Sequence, residues 1–439
     1  MLNTFVSIFK VEELRKRIFF TLLLLIVYRI GGHIPTPGVD GSVISAALSQ
    51  QSIFGMLDLF AGGAFAKATI FAMGIMPYIS ASIMLQLLGA VVPFLQRLQR
   101  EGEEGRRKIT QYTRYLTVLI AAMQAWGTAT FLTTIEYNGV QAVHMSPTGF
   151  IPLTILTFTC GTIFIMWLGE QITERGIGNG ISLIIFIGII ARLPDAVISE
   201  VMKVWNGVQP IIWEIVAMAV MLGVIASVVL ITRAQRRIPV QYPRKVVGRR
   251  VFGGATTHLP LSVNAAGVIP IIFAQSIMFL PSTVAQLFPN VEWLGNLVQD
   301  SLAPGSVVYY IIYGLIVVFF GFFYTAIVFN PMEMADNMRR NGGFIPGIRP
   351  GKNTAQYIEK VLTRITLPGA LFFAAIAILP WVIIPMFGVS NYFFSFFGGT
   401  GLLIVVGVAL DTLQQVESHL LMRHYDGFMK KGKIRGRSM

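Results

Sequence analysis

Gly74-Ile75-Met76-Pro77-Tyr78-Ile79-Ser80-Ala81-Ser82-Ile83 returns, in pattern, as Gly267-Val268-Ile269-Pro270-Ile271-Ile272-Phe273-Ala274-Gln275-Ser276. Both stretches read G-x-x-P-x-I-x-A, and each opens an apolar run, 74–94 and 264–286, long enough to cross a bilayer, for which about 20 residues suffice. Similar runs fall near 18–34, 115–134, 151–169, 179–198, 210–232, 306–329, 367–387 and 397–412, which makes ten predicted spans. The two related stretches are then spans 2 and 7. A five-span half followed by a second five-span half must be inverted relative to it, and Gly/Pro-interrupted spans at corresponding positions mark the functional path. Spans 5 and 10 repeat the correspondence: Gly178-Asn179-Gly180-Ile181 and Gly399-Thr400-Gly401-Leu402 are both glycine-punctuated and then apolar. The expected fold is an all-α polytopic membrane protein of ten transmembrane helices in two inverted five-helix halves, 1–209 and 210–439, with the path between spans 2, 5, 7 and 10.

Composition agrees. Of 439 residues, 54% are hydrophobic and 13% charged, against roughly 25% charged in soluble domains. This excludes a soluble enzyme carrying a small anchor. A single cysteine, Cys160, allows no intrachain disulfide, and no Cys/His cluster offers a metal site. Arg175-Gly176-Ile177-Gly178-Asn179-Gly180 lacks the full glycine fingerprint of a nucleotide loop and a strand before it. With no P-loop, no HExxH and no nucleophile beside a base, the chain reads as a non-enzyme without a cofactor.

The net charge of +13 is distributed unevenly. Threading ten spans puts 30 of the 34 Lys and Arg on one side, in the N-terminal tail, near 95–114 and 170–178, in the loops 233–263 and 331–366, and in the basic C-terminal tail. Basic loops stay inside, so that side is cytoplasmic and holds both termini. The exceptions are Arg29, Lys67, Arg192 and Lys203. Gly31-Gly32-His33-Ile34-Pro35-Thr36-Pro37 reads as a turn rather than a signal-peptide cleavage site, so the first span is expected to be retained.

The apolar run Phe60 to Met73 is too short to cross and reads as re-entrant, dipping into a cavity just before the Gly74/Pro77 break. A helix lying flat at the outer surface is the alternative. Span interiors are almost bare of ionisable groups, with Glu214, Arg192 and Asp411 near predicted ends and Arg29 within snorkelling reach of the interface. What spans 2, 5, 7 and 10 offer instead is isoleucine at helical spacing: Ile75 and Ile79, Ile181 and Ile185, Ile272, and Ile404. By spacing alone these are as readily lipid-facing; converging, they would make a constriction that blocks ions by dewetting. A secondary solute transporter, the competing class, would place polar or charged groups at this depth. A purely structural scaffold would need neither ring nor re-entrant segment.

Between Arg233 and Ser262 lie seven basic residues and no acidic one. The topology rule alone accounts for excess positive charge. Yet Pro239, Pro243, Gly248, Gly253 and Gly254 punctuate an apolar alternation typical of hairpins, and a structured basic projection suits an anionic partner. In Gly342 to Gly351, two prolines stiffen a turn around Arg349.

Three stretches carry a resemblance: GIMPYISASIMLQ (Gly74 to Gln86), WLGEQITERGIGNGIS (Trp167 to Ser182) and FIPGIRPG (Phe344 to Gly351). They closely resemble the bacterial SecY family, the channel subunits of the general protein translocase, and the likeness runs through all ten spans. The resemblance implies a clamshell around an hourglass pore for unfolded polypeptide in the cytoplasmic membrane. Ile75, Ile79, Ile181, Ile185, Ile272 and Ile404 match the family's pore ring. The segment at about 60–72, including Phe60, Ala61, Gly62, Gly63, Ala64 and Phe65, matches a short plug helix. Gln86 and Asn264 look like polar lateral-gate residues, and Arg249, Arg250 and Arg349 match positions that dock the SecA motor or the ribosome. The implied partners are SecE, SecG, SecA, the translating ribosome, unfolded preprotein, membrane lipid and further membrane-insertion factors.

Overall fold

The computed structural model describes residues 11–48, 58, 61–137, 139–208, 210–242, 245–247, 250–252, 256–264, 267–287, 291, 293, 295, 298, 302, 306–387 and 399–431. A helix lies at each of the ten predicted stretches. In chain order the helices are α1 (Glu12–Gly31), α2 (Gly41–Leu48), α3 (Met76–Val91), α4 (Pro93–Arg100), α5 (Glu103–Thr134), α6 (Pro147–Arg175), α7 (Gly180–Ile190) and α8 (Leu193–Trp205). They continue with α9 (Ile211–Arg233), α10 (Ile269–Leu287), α11 (Val307–Val328), α12 (Pro331–Arg340), α13 (Lys352–Phe387) and α14 (Thr400–Lys431). Among the described residues, seven helical stretches are long and apolar enough to cross a membrane, or eight with the bent pair α3–α4, so the chain is a multi-pass membrane protein. α1 falls outside that set because its first turns carry Glu12, Glu13, Arg15, Lys16 and Arg17. α10 falls short of the length because only Ile269–Ala285 of it counts toward the span.

Local chemistry sets the boundaries. Span 2 stops at Val91 because Val92 precedes Pro93 and takes an extended conformation, ψ 117°, and the chain turns by 98° into α4. Asn179 caps α7 by accepting the Ile181 and Ser182 amides, Ser306 caps α11 through the Tyr309 amide, and Asn330 caps α12. α5 buries Thr113, Thr117, Ala121, Ala125 and Ala129, a small residue every fourth position. That spacing keeps one face narrow enough for close helix approach without large side chains.

By compactness the chain divides into two units: Met1–Pro194 with Ser282–Gly295 and Val408–Met439, and Asp195–Pro281 with Asn296–Gly407. This division describes packing and is a different thing from the sequence repeat. In the first unit α3, α5, α6 and α7 pack together; in the second, α11 lies along α13.

The basic segment after α9 departs from an all-helical fold. Beyond a short hairpin of β1 (Glu136–Tyr137) and β2 (Val140–Gln141) between α5 and α6, β3 (Gln235–Gln241) pairs antiparallel with β6 (Thr256–Ser262), and β4 (Lys245–Val247) with β5 (Arg250–Phe252), so the alternation seen in the sequence becomes a ribbon. Ile238, Val240 and Leu261 point inward onto Met338, Ile345, Ile358 and Leu362. Leu261 is fully buried there, so Leu261→Ala is expected to cost about 2–5 kcal/mol of local stability. Limited trypsin digestion should then cut the ribbon faster than in the parent protein; an unchanged rate would refute this anchoring.

Candidate functional site

Ile75 precedes α3 and follows Gly74, whose left-handed φ of 56° turns the chain out of the preceding loop. Pro77 sits in the first turn, where its missing N–H leaves no orphan. Ile79, one turn on, is 3% exposed, and Ile75 is equally enclosed. On α7, Ile185 is fully buried and Ile181 half-buried. α7 is seated against α6 at glycine contact: a Cβ on Gly180 would lie 2.0 Å from the Gly169 carbonyl oxygen.

The glycine-rich connection before α7 is consumed by the protein itself. The Gly176 amide donates to the Ile172 carbonyl, Ile177 to Thr21 Oγ1, Gly178 to Gln415 Oε1 and Gly180 to Thr173 Oγ1. Amides that a phosphate would need are thus committed to fixing the start of α7.

In the second unit Ile272 and Ile404 are both buried. A Cβ on Gly407 would lie 2.6 Å from Val268 Cγ2. Gly407 lies three residues from Ile404, and Val268 four from Ile272, so this approach sets the turns carrying the two isoleucines side by side. Four of the six residues therefore belong to the first unit and two to the second.

The segment before α3 differs from expectation in conformation. Residues 61–75 form successive turns rather than a plug helix. Gly62, Gly63, Ala68 and Gly74 all have positive φ, and a right-handed helix cannot pass through such residues. Ala61, Gly62, Gly63, Ala64 and Phe65 are buried, while Phe60 lies outside the described residues. The later part of the segment is stitched to the loop after α1: the Thr36 amide donates to Ala68 O at 2.9 Å and the Ile70 amide to Ile34 O at 3.0 Å. Phe71 stacks on Tyr28 and Phe164 and fills the space left by Gly31.

Two arginines that the topology count could not place are engaged here. Arg29 Nη1 donates to Gly62 O at 2.8 Å, and the Arg192 guanidinium pairs with the Asp58 carboxylate. Neither was recognisable as a site residue from spacing. The available signal was that both were basic residues on the wrong side of the charge distribution. Lys67 is exposed, and Lys203 pairs with Glu200 at 3.7 Å.

Gln86, on α3 in the first unit, donates to Ser82 Oγ at 3.2 Å. Asn264, in the second, lines a narrow crevice with Gly267, Pro270, Val317, Gly321 and Thr325. Arg349 is exposed on a turn tied to the β-ribbon: the Gln241 amide donates to Phe344 O at 2.9 Å and the reverse bond is 3.0 Å. Arg250 opens β5 of the same ribbon, while Arg249 lies outside the described residues. One basic platform therefore joins two loops that are about a hundred residues apart in sequence.

The SecY family model matches residues 69–413. A SecY protein translocase subunit of Thermotoga maritima is 46% identical over 100% of both chains, and one from Haemophilus influenzae is 46% identical over 97% of this chain and 96% of its own. This chain belongs to the SecY family. A solved protein-conducting channel has the same fold, with a TM-score of 0.64 at 19% identity, covering 92% of this chain and 91% of that one. Sec61 in a canine ribosome–channel complex gives 0.61 at 18% identity, with the same coverage. In a SecY chain every element described above falls within the matched core except α1, α2 and the end of α14.

Proposed function

We infer that this chain is the protein-conducting channel of a bacterial Sec translocase, passing unfolded secretory polypeptides across the cytoplasmic membrane and releasing signal sequences and transmembrane segments sideways into lipid. The observation that carries the reading is 46% identity along the whole chain to translocase subunits, joined to a fold shared with solved channels. In this reading ten spans form two inverted halves, 1–209 and 210–439, with both termini cytoplasmic. The uneven charge supports that orientation.

Ile75, Ile79, Ile181, Ile185, Ile272 and Ile404 form the ring. Isoleucine makes no hydrogen bonds, so a passing chain of any sequence meets a surface it neither sticks to nor clashes with electrostatically, and the narrow apolar gap stays dry to ions. The segment around Ala61 to Phe65 is the plug on the outer side of that gap. Gln86 and Asn264 are the polar residues of the lateral gate, through which a signal sequence gains about 0.8 kcal/mol per buried CH₂ on reaching lipid.

Force comes from partners. Arg249, Arg250 and Arg349 on the ribbon platform dock SecA or the translating ribosome, as suits a basic projection. SecE and SecG complete the membrane complex, and insertion factors join it. Arg349→Glu is expected to slow SecA-driven export about tenfold or more, since a reversed charge in a complementary contact costs several kcal/mol. As an exposed surface change it should leave folding stability within about 0.5 kcal/mol. Export assays in proteoliposomes test this, and a wild-type rate would refute the docking role. The channel reading itself is tested by the capture experiment that closes the Discussion.

A further inference from the structure

Polar ties converge on the turn that follows Asp58. Asp58 is 3% exposed. Its Oδ1 accepts the Ala66 amide at 2.8 Å, its main-chain carbonyl accepts the Gly63 amide at 3.0 Å, and its other carboxylate oxygen receives the Arg192 guanidinium. Arg29, in the last turn of α1, donates to the Gly62 carbonyl from the other side. Asp58 thus closes the turn on itself, while two arginines, one at the end of α1 and one in the turn between α7 and α8, hold it in place. Glycine is required for the fit: a Cβ on Gly63 would stand 3.2 Å from Arg192 Nε at a φ of 90°, and one on Gly62 would stand 2.8 Å from Gly188 Cα.

We propose that Arg192, Asp58 and Arg29 form a latch that seats Asp58 and residues 61–66 and thereby sets how readily the channel opens to an incoming signal sequence. The inference rests on the channel reading above, and these are positioning residues within it. The division of the segment carries the argument. Residues 68–75 are fixed by a backbone bridge and by Phe71 packed among Tyr28, Gly31 and Phe164. Residues 61–66 have no such ladder to α1. Ala61, Gly62, Gly63 and Ala64 carry little apolar area, and hydrophobic stabilisation scales with that area. Phe65 is the one large apolar side chain buried in this half, so the polar ties share the hold with it, and they are ties that one substitution can undo. Losing Arg192 strands the buried Asp58 carboxylate, and losing the carboxylate removes the acceptor that holds the partly exposed guanidinium, so either change loosens the seated turn. Segments with such uneven anchoring release at the weaker end first.

The test uses the intact translocase complex in lipid nanodiscs and proteoliposomes, with the exposed Cys160 replaced by serine and a cysteine introduced at Ala64, which is 2% exposed. Asp58→Asn, Arg192→Gln and the double variant are each expected to raise the rate of Ala64→Cys modification by a polar maleimide about tenfold. The double variant should be no faster than the faster single, because both break one interaction. Arg192→Lys keeps the charge and should stay within a few-fold of the parent. Export of a precursor with a defective signal sequence should rise about tenfold in the Asn and Gln variants, while export of an intact precursor stays at the parent rate.

If Arg192→Gln does not accumulate, Arg29→Gln, which strands no carboxylate, replaces it with an expected severalfold rise. Parent-like labelling in these variants would overturn the latch. Faster labelling without rescue of the defective precursor would overturn its role in setting the threshold. Failure of the parent complex to export any precursor would instead count against the channel reading, and labelling would still judge the latch.

Discussion

Replacing Ile79 with asparagine is expected to raise the resting ion conductance of the channel roughly tenfold to a hundredfold. Burying an isoleucine side chain is worth about 1.5–3 kcal/mol, and 1.4 kcal/mol is a factor of ten in an equilibrium. Ile79 is enclosed, and in the proposed ring its apolar surface would favour a dry, closed gap. Asparagine supplies an amide that favours water in the same gap, shifting the balance toward a wetted constriction. Single-channel recording in planar bilayers checks the result. Loosened discrimination against defective signal sequences should accompany the leak, and unchanged conductance would remove Ile79 from the seal.

A second large effect is expected from Gly180→Ala. The new methyl carbon would be placed 2.0 Å from the Gly169 carbonyl oxygen and 2.8 Å from Ile172 Cβ. Backbone cannot yield as a side-chain tip does, so α6 and α7 must separate. Overpacking of this kind costs about 3 kcal/mol. The same shift would move Ile181 and Ile185, coupling the stability loss to channel leak. Gly223 offers the control: it lies within α9 with no atom near its Cβ position, and alanine there is expected to stabilise by about 0.5–1 kcal/mol. Thermal unfolding of the purified complex compares the two, and shifts of the same sign would refute the packing argument.

Much of this architecture was legible in the sequence because a bilayer imposes length and loop charge on whatever crosses it. The helices fall where the apolar runs placed them, and the alternation after Arg233 became the β3–β6 ribbon. What periodicity reports is burial, and burial does not dictate conformation. The short run before Gly74 was set apart as non-spanning in length, yet its described residues, from Ala61 on, form turns rather than the expected helix, since Gly62, Gly63, Ala68 and Gly74 turn the chain at positive φ. Asp58 went unnoticed for another reason: its partner Arg192 lies 134 residues away, and a single acidic residue carries no pattern. The same holds for the platform, where the meeting of Gln241 with Phe344 depends on tertiary packing that no local spacing records. The ring isoleucines were ambiguous by spacing, because lipid-facing and pore-facing isoleucine have the same helical period. Family resemblance, rather than periodicity, singled them out.

The central claim is that polypeptide passes the ring. Its most direct test replaces Cys160 with serine, introduces cysteine at Ile79, and oxidises the complex with a cysteine-bearing secretory chain stalled halfway across. The account predicts a disulfide adduct between Ile79→Cys and the stalled chain, dependent on the position of the substrate cysteine. A demonstrably transmembrane, stalled substrate that forms no adduct at any substrate cysteine position would contradict it.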